Sequence, residues 1–136
     1  MWVQEDTTVE RQAGKTFAHG ENAPAEARRF ARECLHAWHL AEMDVPILLA
    51  VSELTTNAVI HGSGPIDVAM DATTDLLRVT VSDDGTGVPA RRRPDPRDAA
   101  VGGWGLQLVD AVADHWGTDN RHGRTSVWFD HALPPP

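Results

Sequence analysis

Three short polar segments stand in a fixed order along this chain of 136 residues. The first is Glu53-Leu-Thr-Thr-Asn57, the second is Asp83-Asp-Gly-Thr-Gly87, and the third is Gly103-Trp-Gly-Leu106. They supply a carboxylate with an amide, a carboxylate ahead of two glycines, and two glycines at a predicted helix start. Each segment alone has an ordinary structural explanation. The three together, in this order, predict a site for a nucleotide and a metal ion.

Glu53 and Asn57 are one helical turn apart, so their side chains point to the same side of a helix. A carboxylate there can take the proton of a hydroxyl or a water. An amide oxygen can ligate Mg²⁺, which takes its other oxygens from phosphate and water. The alternative is a solvated helix face. His61, two turns beyond Glu53, fits better as a histidine at the negative end of the helix dipole.

Asp83 follows a segment of alternating apolar residues that is typical of a half-buried strand. A carboxylate at the end of such a strand can accept a hydrogen bond from an exocyclic amine, such as N6 of adenine. Gly85 and Gly87 would let the backbone approach a flat ring, because glycine has no Cβ. The alternative is a plain Asp-Gly turn, and in either case we expect Asp84 to face solvent.

Gly103, Gly105 and Leu106 stand where the third helix is predicted to begin. Free backbone N–H groups and the positive end of the helix dipole make such a start a site for phosphate. A hinge or close helix packing would also explain the glycines. Their spacing matches neither the P-loop nor the dinucleotide-binding pattern, so the sequence does not favour those folds.

The elements that position these segments follow from apolar periodicity. Helices are predicted over 24–40, 44–61 and 104–115, and strands over 65–70, 77–82 and 125–129, with an edge strand within 1–20. This order predicts an α+β fold, a two-layer sandwich with helices on one face of a mixed, largely antiparallel sheet. We divide the chain into an N-terminal extension over 1–21, one domain over 22–133 and a tail over 134–136.

Composition narrows the class of protein. The formal net charge of -8 argues against general nucleic-acid binding, which needs a basic face. Cys34 is the only cysteine, so an intramolecular disulfide is excluded and a buried, inert thiol is expected. The longest apolar run, 45–51, is too short to span a bilayer, and the first residues lack the features of a signal peptide. We therefore expect a soluble cytoplasmic protein.

The three segments resemble the N, G1 and G2 boxes of the GHKL (Bergerat-fold) ATPases. The longer stretches 53–62, 79–85, 105–117 and 123–129 resemble the small single-domain members. Those members are the anti-sigma factor serine kinases and their actinobacterial relatives. The resemblance covers residues 22–130.

The resemblance implies ATP and Mg²⁺ as ligands and a role for each matching residue. Glu53 would be the general base, Asn57 the Mg²⁺ ligand and Asp83 the acceptor for adenine N6. Gly85 and Gly87 would lie beside the base. The residues at the phosphates would be Gly103, Gly105 and Leu106. On the last strand, Thr125 or Ser126 would lie near Asp83. The loop 88–102 would be the ATP lid; its Arg91, Arg92 and Arg93 could reach phosphate or a partner, or form a solvated charge run. Trp104 departs from the small or basic residue that relatives often have there.

Three functions fit this resemblance. The first is a serine/threonine protein kinase that phosphorylates an anti-anti-sigma protein of the STAS type. The second is a binding module that sequesters a sigma factor with ATP as a structural ligand, and one protein of the family can do both. The third, a detached histidine-kinase ATPase domain, is disfavoured because no phosphoacceptor helix precedes the domain. The resemblance also implies a homodimer.

Overall fold

The computed structural model describes residues 9–85 and 105–134. Three helices and five strands follow one another in this part of the chain. They are β1 (Arg11–Phe17), α1 (Ala23–Ala37), α2 (Asp44–His61) after a 3₁₀ turn (Ala41–Met43), β2 (Ile66–Ala72), β3 (Leu76–Asp83), α3 (Gly105–Val112), β4 (His115–Arg121) and β5 (Arg124–Ala132).

The strands form one open sheet in the order β1-β2-β3-β5-β4. Each neighbouring pair is antiparallel, so the predicted α+β class is confirmed while the described strands give an antiparallel sheet rather than a mixed one. β1 is an edge strand and pairs with β2 along its whole length. The first part of the chain therefore contributes to the same sheet as the three polar segments.

One face of the sheet is buried under the helices. Along β2 and β3 buried residues alternate with more exposed ones, as the period of two in a strand requires. α1 contacts β1 and β2, α2 contacts β3, and α3 contacts α2 and β4. Phe129 of β5 and Val79 of β3 pair directly on this face, and both are fully buried. The apolar core thus lies between α1, α2 and the middle of the sheet.

Helix α2 begins and ends at the predicted residues, and the predicted stripe of Ile47, Val51, Leu54 and Ala58 is buried. It ends because Gly62 turns to an extended conformation with ψ of -167°. By length and composition alone, the stretch 41–61 could also cross a membrane. The core helix of a globular domain passes the same test, so this is weak support for a span.

The prediction for the third helix and for the residues after it was wrong in two respects. α3 ends at Val112 rather than at residue 115, and 115–121 form the unpredicted strand β4. Polar residues and a glycine hide the alternation of β4, and pairing with β5 is what makes it a strand. His122 and Gly123 join the two strands, both with positive φ as in a type I′ hairpin turn.

Cys34 is buried, as predicted. Its burial, and secondarily the charge of Glu33, raise the pKa of the thiol. A higher pKa lowers the fraction of thiolate, which is the nucleophilic form. The arrangement therefore agrees with a structural rather than a reactive cysteine.

Candidate functional site

The buried face of the sheet ends in polar residues instead of apolar ones. Asp83 is the last residue of β3, is only 6% exposed, and pairs with Thr125 of β5, which is 5% exposed. Val79 and Val81 precede Asp83 on the same face and are buried. A carboxylate therefore lies at the end of the core, where the sheet emerges from under α2.

Asp83 uses one carboxylate oxygen to hold the chain around it. Its Oδ1 accepts hydrogen bonds from the backbone N–H of Gly85, at 2.6 Å, and of Ser63, at 3.4 Å. Thr125 Oγ1 donates to the carbonyl oxygen of Gly85 at 2.7 Å. Within residues 9–85 and 105–134, no hydrogen bond of Asp83 uses Oδ2. This second oxygen can accept a hydrogen bond from a ligand.

Two glycines let the backbone approach Asp83 closely. A Cβ on Gly62 would lie 2.5 Å from both Cγ and Oδ1 of Asp83, and a Cβ on Gly85 would lie 2.7 Å from Oδ1. Real Cβ atoms essentially never come so close to another heavy atom. The sequence indicated Gly62 only as a helix stop, and its second role arises from the meeting of α2 with β3.

Asp84 lies on the other side of the strand and is exposed, as predicted. Its Oδ1 accepts a hydrogen bond from Arg124 Nη1 at 2.6 Å, and the same guanidinium contacts Asp67 at 2.7 Å. The Asp84 backbone N–H donates to the carbonyl oxygen of Ser63 at 2.9 Å. Asp84 therefore binds the outer side of the turn at residues 62–64, whose inner side contacts Asp83.

Glu53 and Asn57 lie half-buried on one flank of α2. α1 lies against another flank, where Arg28 donates to Ser52 at 2.8 Å, and Glu53 is turned about 100° away from Ser52 around the helix. In the part of the chain that the structure describes, neither Glu53 nor Asn57 makes a side-chain hydrogen bond or an ion pair. Both remain able to bind a ligand.

The polar groups are spaced along the helix axis. Asn57 lies about 7.5 Å, and Glu53 about 13.5 Å, before Gly62 along the helix axis, at 1.5 Å of rise per residue. Since Gly62 contacts Asp83, the site runs from Asp83 back along α2, first to an amide and then to a carboxylate.

The two candidates on β5 lie on opposite faces. Thr125 pairs with Asp83 on the buried face, while Ser126 Oγ lies 2.7 Å from Ser82 Oγ on the outer face. Thr125 is thus the residue beside Asp83. His61 is exposed in the last turn of α2.

Several predicted residues lie outside the described part of the chain. Gly87, Gly103, Trp104, the loop 88–102 and its Arg91, Arg92 and Arg93 are among them. Gly105 and Leu106 are described as the first two residues of α3. The predicted third helix is therefore described from Gly105 onward.

The described side chains do not form a complete cage for a metal ion. Among residues 9–85 and 105–134, no group of three or more His, Cys, Asp or Glu side chains could hold one. Mg²⁺ seldom needs such a cage, because it keeps several waters and binds phosphate oxygens. A single amide ligand from Asn57 fits a Mg²⁺ ion that arrives with a nucleotide.

The sequence matches a known family of ATPase domains over most of its length. Residues 18–130 match the model of the histidine kinase-like ATPase domain. The chain belongs to that family. This match confirms the GHKL assignment made from the three polar segments. ATPase domains of this kind bind ATP. No curated protein sequence matches this ATPase domain.

Two solved structures show the same fold. The RsbU and RsbW domains of Rv1364c from Mycobacterium tuberculosis match with a TM-score of 0.66 and 23% identity, over 92% of this chain and 34% of that chain. The histidine kinase AdeS from Acinetobacter baumannii matches with a TM-score of 0.53 and 12% identity, over 96% of this chain and 72% of that one. This ATPase domain thus corresponds to about a third of the Rv1364c chain.

Proposed function

We propose that this ATPase domain is a regulatory protein kinase of the anti-sigma factor type. It would use ATP and Mg²⁺ to phosphorylate a serine or threonine of a STAS-type anti-anti-sigma protein, and would also bind a sigma factor. The family match and the likeness to a structure that contains an RsbW domain support this class. The protein would regulate transcription, would be located in the cytoplasm and would act as a homodimer.

The proposal rests mainly on the burial and the hydrogen bonds of Asp83. A buried carboxylate with one oxygen held by backbone N–H groups keeps a fixed orientation, and its second oxygen can accept a hydrogen bond from adenine N6. Gly85 and Gly87 would lie beside the base. Guanine carries a carbonyl oxygen at the position of the adenine amine, so the same carboxylate would repel it.

Asn57 would hold Mg²⁺, and the start of α3 with Gly103, Gly105 and Leu106 would receive the phosphates. The metal ion supplies positive charge that offsets the negative charge of the transferring phosphoryl group. The arginines of the loop 88–102 would supply further positive charge to the phosphates or contact the partner protein.

Glu53 would act as the general base. The hydroxyl oxygen of the partner forms the new bond to the γ-phosphorus, its proton passes to the Glu53 carboxylate, and ADP leaves. Glu53 suits this role because it is half-buried and makes no hydrogen bond within the described residues. Positioned general bases contribute roughly 10²- to 10⁴-fold to the rate.

Phosphotransfer from labelled ATP to a purified STAS protein tests this function. We expect Glu53→Gln to lower the transfer rate by about 10²-fold or more while ATP affinity stays near that of the wild type. The matched control is Glu42→Gln, which alters an exposed glutamate in the 3₁₀ turn before α2 and should leave transfer unchanged.

Transfer by Glu53→Gln at the wild-type rate would show that the base is another residue. A stable complex with a sigma factor, without label on the STAS serine in the wild type, would favour a binding module that does not catalyse transfer.

A further inference from the structure

His19 lies in the short connection between β1 and α1, and both of its ring nitrogens face backbone carbonyls. Nδ1 lies 3.0 Å from the carbonyl oxygen of Gly64, and Nε2 lies 3.0 Å from that of Val59. These partners are 45 and 40 residues away along the chain. They flank the point where α2 ends and the chain turns toward β2.

A carbonyl oxygen can only accept a hydrogen bond, so each of these contacts needs a proton on the ring nitrogen. Neutral histidine carries one such proton, and only the imidazolium donates at both nitrogens. In the neutral ring, one nitrogen would direct its lone pair at a carbonyl oxygen. The positions of the two carbonyl oxygens therefore suit a ring that is protonated at both nitrogens.

The carbonyl of Val59 needs a partner because α2 ends just after it. In a longer helix it would accept from the N–H of Ser63, four residues on. Here the last such bond runs from Gly62 to Ala58, and the Ser63 N–H turns toward Asp83 Oδ1. His19 supplies the missing donor, and a cation at the C-terminal end of a helix is favourable.

The same connection between α2 and β2 forms one wall around Asp83. Ser63 donates to Asp83 Oδ1 and accepts from the backbone N–H of Asp84, while Gly62 lies against the carboxyl group of Asp83. His19 binds the residues on both sides of this Gly62-Ser63 pair. Contacts that hold Val59 and Gly64 in place therefore also hold Gly62 and Ser63, which form this wall.

We propose that His19, as the imidazolium, is a positioning residue that holds the Gly62-Ser63 wall and thereby orients Asp83 for adenine. This rests on the proposed role of Asp83 in binding ATP. A ring with a proton on only one nitrogen would keep only one of the two bonds, so we expect weaker nucleotide binding where the ring is neutral. Other charged or titratable groups on the neighbouring segments are Lys15, Glu21, His61, Asp67, Asp84 and Arg124.

The first test needs no nucleotide. It follows the backbone amide signals of Ser63 and Gly85 by NMR between about pH 5.5 and pH 8, the range in which histidines change charge. We expect these signals to shift together with those of the His19 ring, and both ring nitrogens to be protonated at the acid end. His19→Gln should remove this pH-dependent shift, while His115→Gln, at the start of β4 and opposite Asp130 of β5, should retain it.

The amide spectrum also shows whether the variants are folded. An unchanged pH response of Ser63 and Gly85 in His19→Gln would overturn the coupling. So would a ring that carries only one proton at the acid end.

The second test measures ATP affinity by calorimetry at both ends of this pH range. The ratio of wild-type to His19→Gln affinity cancels proton uptake by ATP itself and by the other groups. We expect the ratio to fall about fivefold from acid to alkaline pH, the effect of about one hydrogen bond. A constant ratio would overturn the positioning role.

If the wild type bound no ATP at either pH, the proposed function would fall, and with it the role of His19 toward adenine. The amide titration would then still decide whether the ring holds the wall.

Discussion

Asp83 and Asp84 are neighbours in sequence but lie in opposite surroundings. Asp83 is 6% exposed, lies against two glycines and, among the described residues, accepts hydrogen bonds only from backbone N–H groups. The Asp84 side chain is 48% exposed and pairs with Arg124. Charges interact more strongly when water is excluded, whereas an exposed pair competes with solvent and salt. The face of the strand, rather than the residue type, decides which aspartate can select a ligand.

The same contrast separates the middle of the sheet from its end. β3 and β5 pair Val79 with Phe129 in the middle and Asp83 with Thr125 at the end, on one and the same face. Apolar pairs stabilise the fold, and the polar pair orients a loop. Substitutions in the middle should therefore change stability, and substitutions at the end should change ligand affinity.

The largest expected effect lies in the middle of the sheet. Phe129→Ala should lower the free energy of unfolding by about 3–5 kcal/mol, since it leaves a cavity in place of a fully buried ring. Urea denaturation measures this. Val127→Ala on the same strand is the control, because Val127 is only partly buried and should lose less. An equal loss in both variants would contradict the placement of the core.

Gly62→Ala tests the end of the sheet. The new Cβ would meet the Asp83 carboxyl group at 2.5 Å, so the wall or the carboxylate must move. We expect ATP affinity to fall about tenfold, as measured by calorimetry. Gly20→Ala adds the same methyl group where no atom of the described residues, apart from the chain neighbours, lies within 4 Å, and should bind like the wild type. Equal affinities for the two variants would show that close packing at Gly62 does not control the site.

The smallest expected effect concerns the outer ion pairs. Arg124→Gln removes the contacts to Asp67 and Asp84, whose side chains are 44% and 48% exposed. The free energy of unfolding should change by less than about 1 kcal/mol, and the difference should shrink as salt is added. Thermal melting at low and high salt measures it. A change of several kcal/mol that is insensitive to salt would place these charges in the buried part of the molecule.

Strongly periodic parts of the sequence were predictable. α2 has the predicted bounds, and the alternation in β2 and β3 indicated the correct buried face, which placed Asp83 at the end of the core. These elements arise from local patterns that burial reinforces.

The features that sequence reasoning missed depend on contacts between distant parts of the chain. β4 has a polar sequence and becomes a strand by pairing with β5. Gly62 acquires its second role only where α2 meets β3, and His19 is 40 or more residues from its partners. No local pattern reports such contacts. A His-Gly pair between two possible strands was the signal that could have revealed the β4–β5 turn.

The most direct test of the adenine assignment compares ATP·Mg²⁺ binding by the wild type, Asp83→Asn and Asp84→Asn in one calorimetric series. Both variants exchange a carboxylate for an amide of the same shape, at adjacent positions. We predict a roughly ten- to hundredfold loss of affinity for Asp83→Asn, because a buried charged acceptor is lost, and less than about a twofold loss for Asp84→Asn. Unchanged binding by Asp83→Asn, or an equal loss in both variants, would contradict the assignment of Asp83 to adenine.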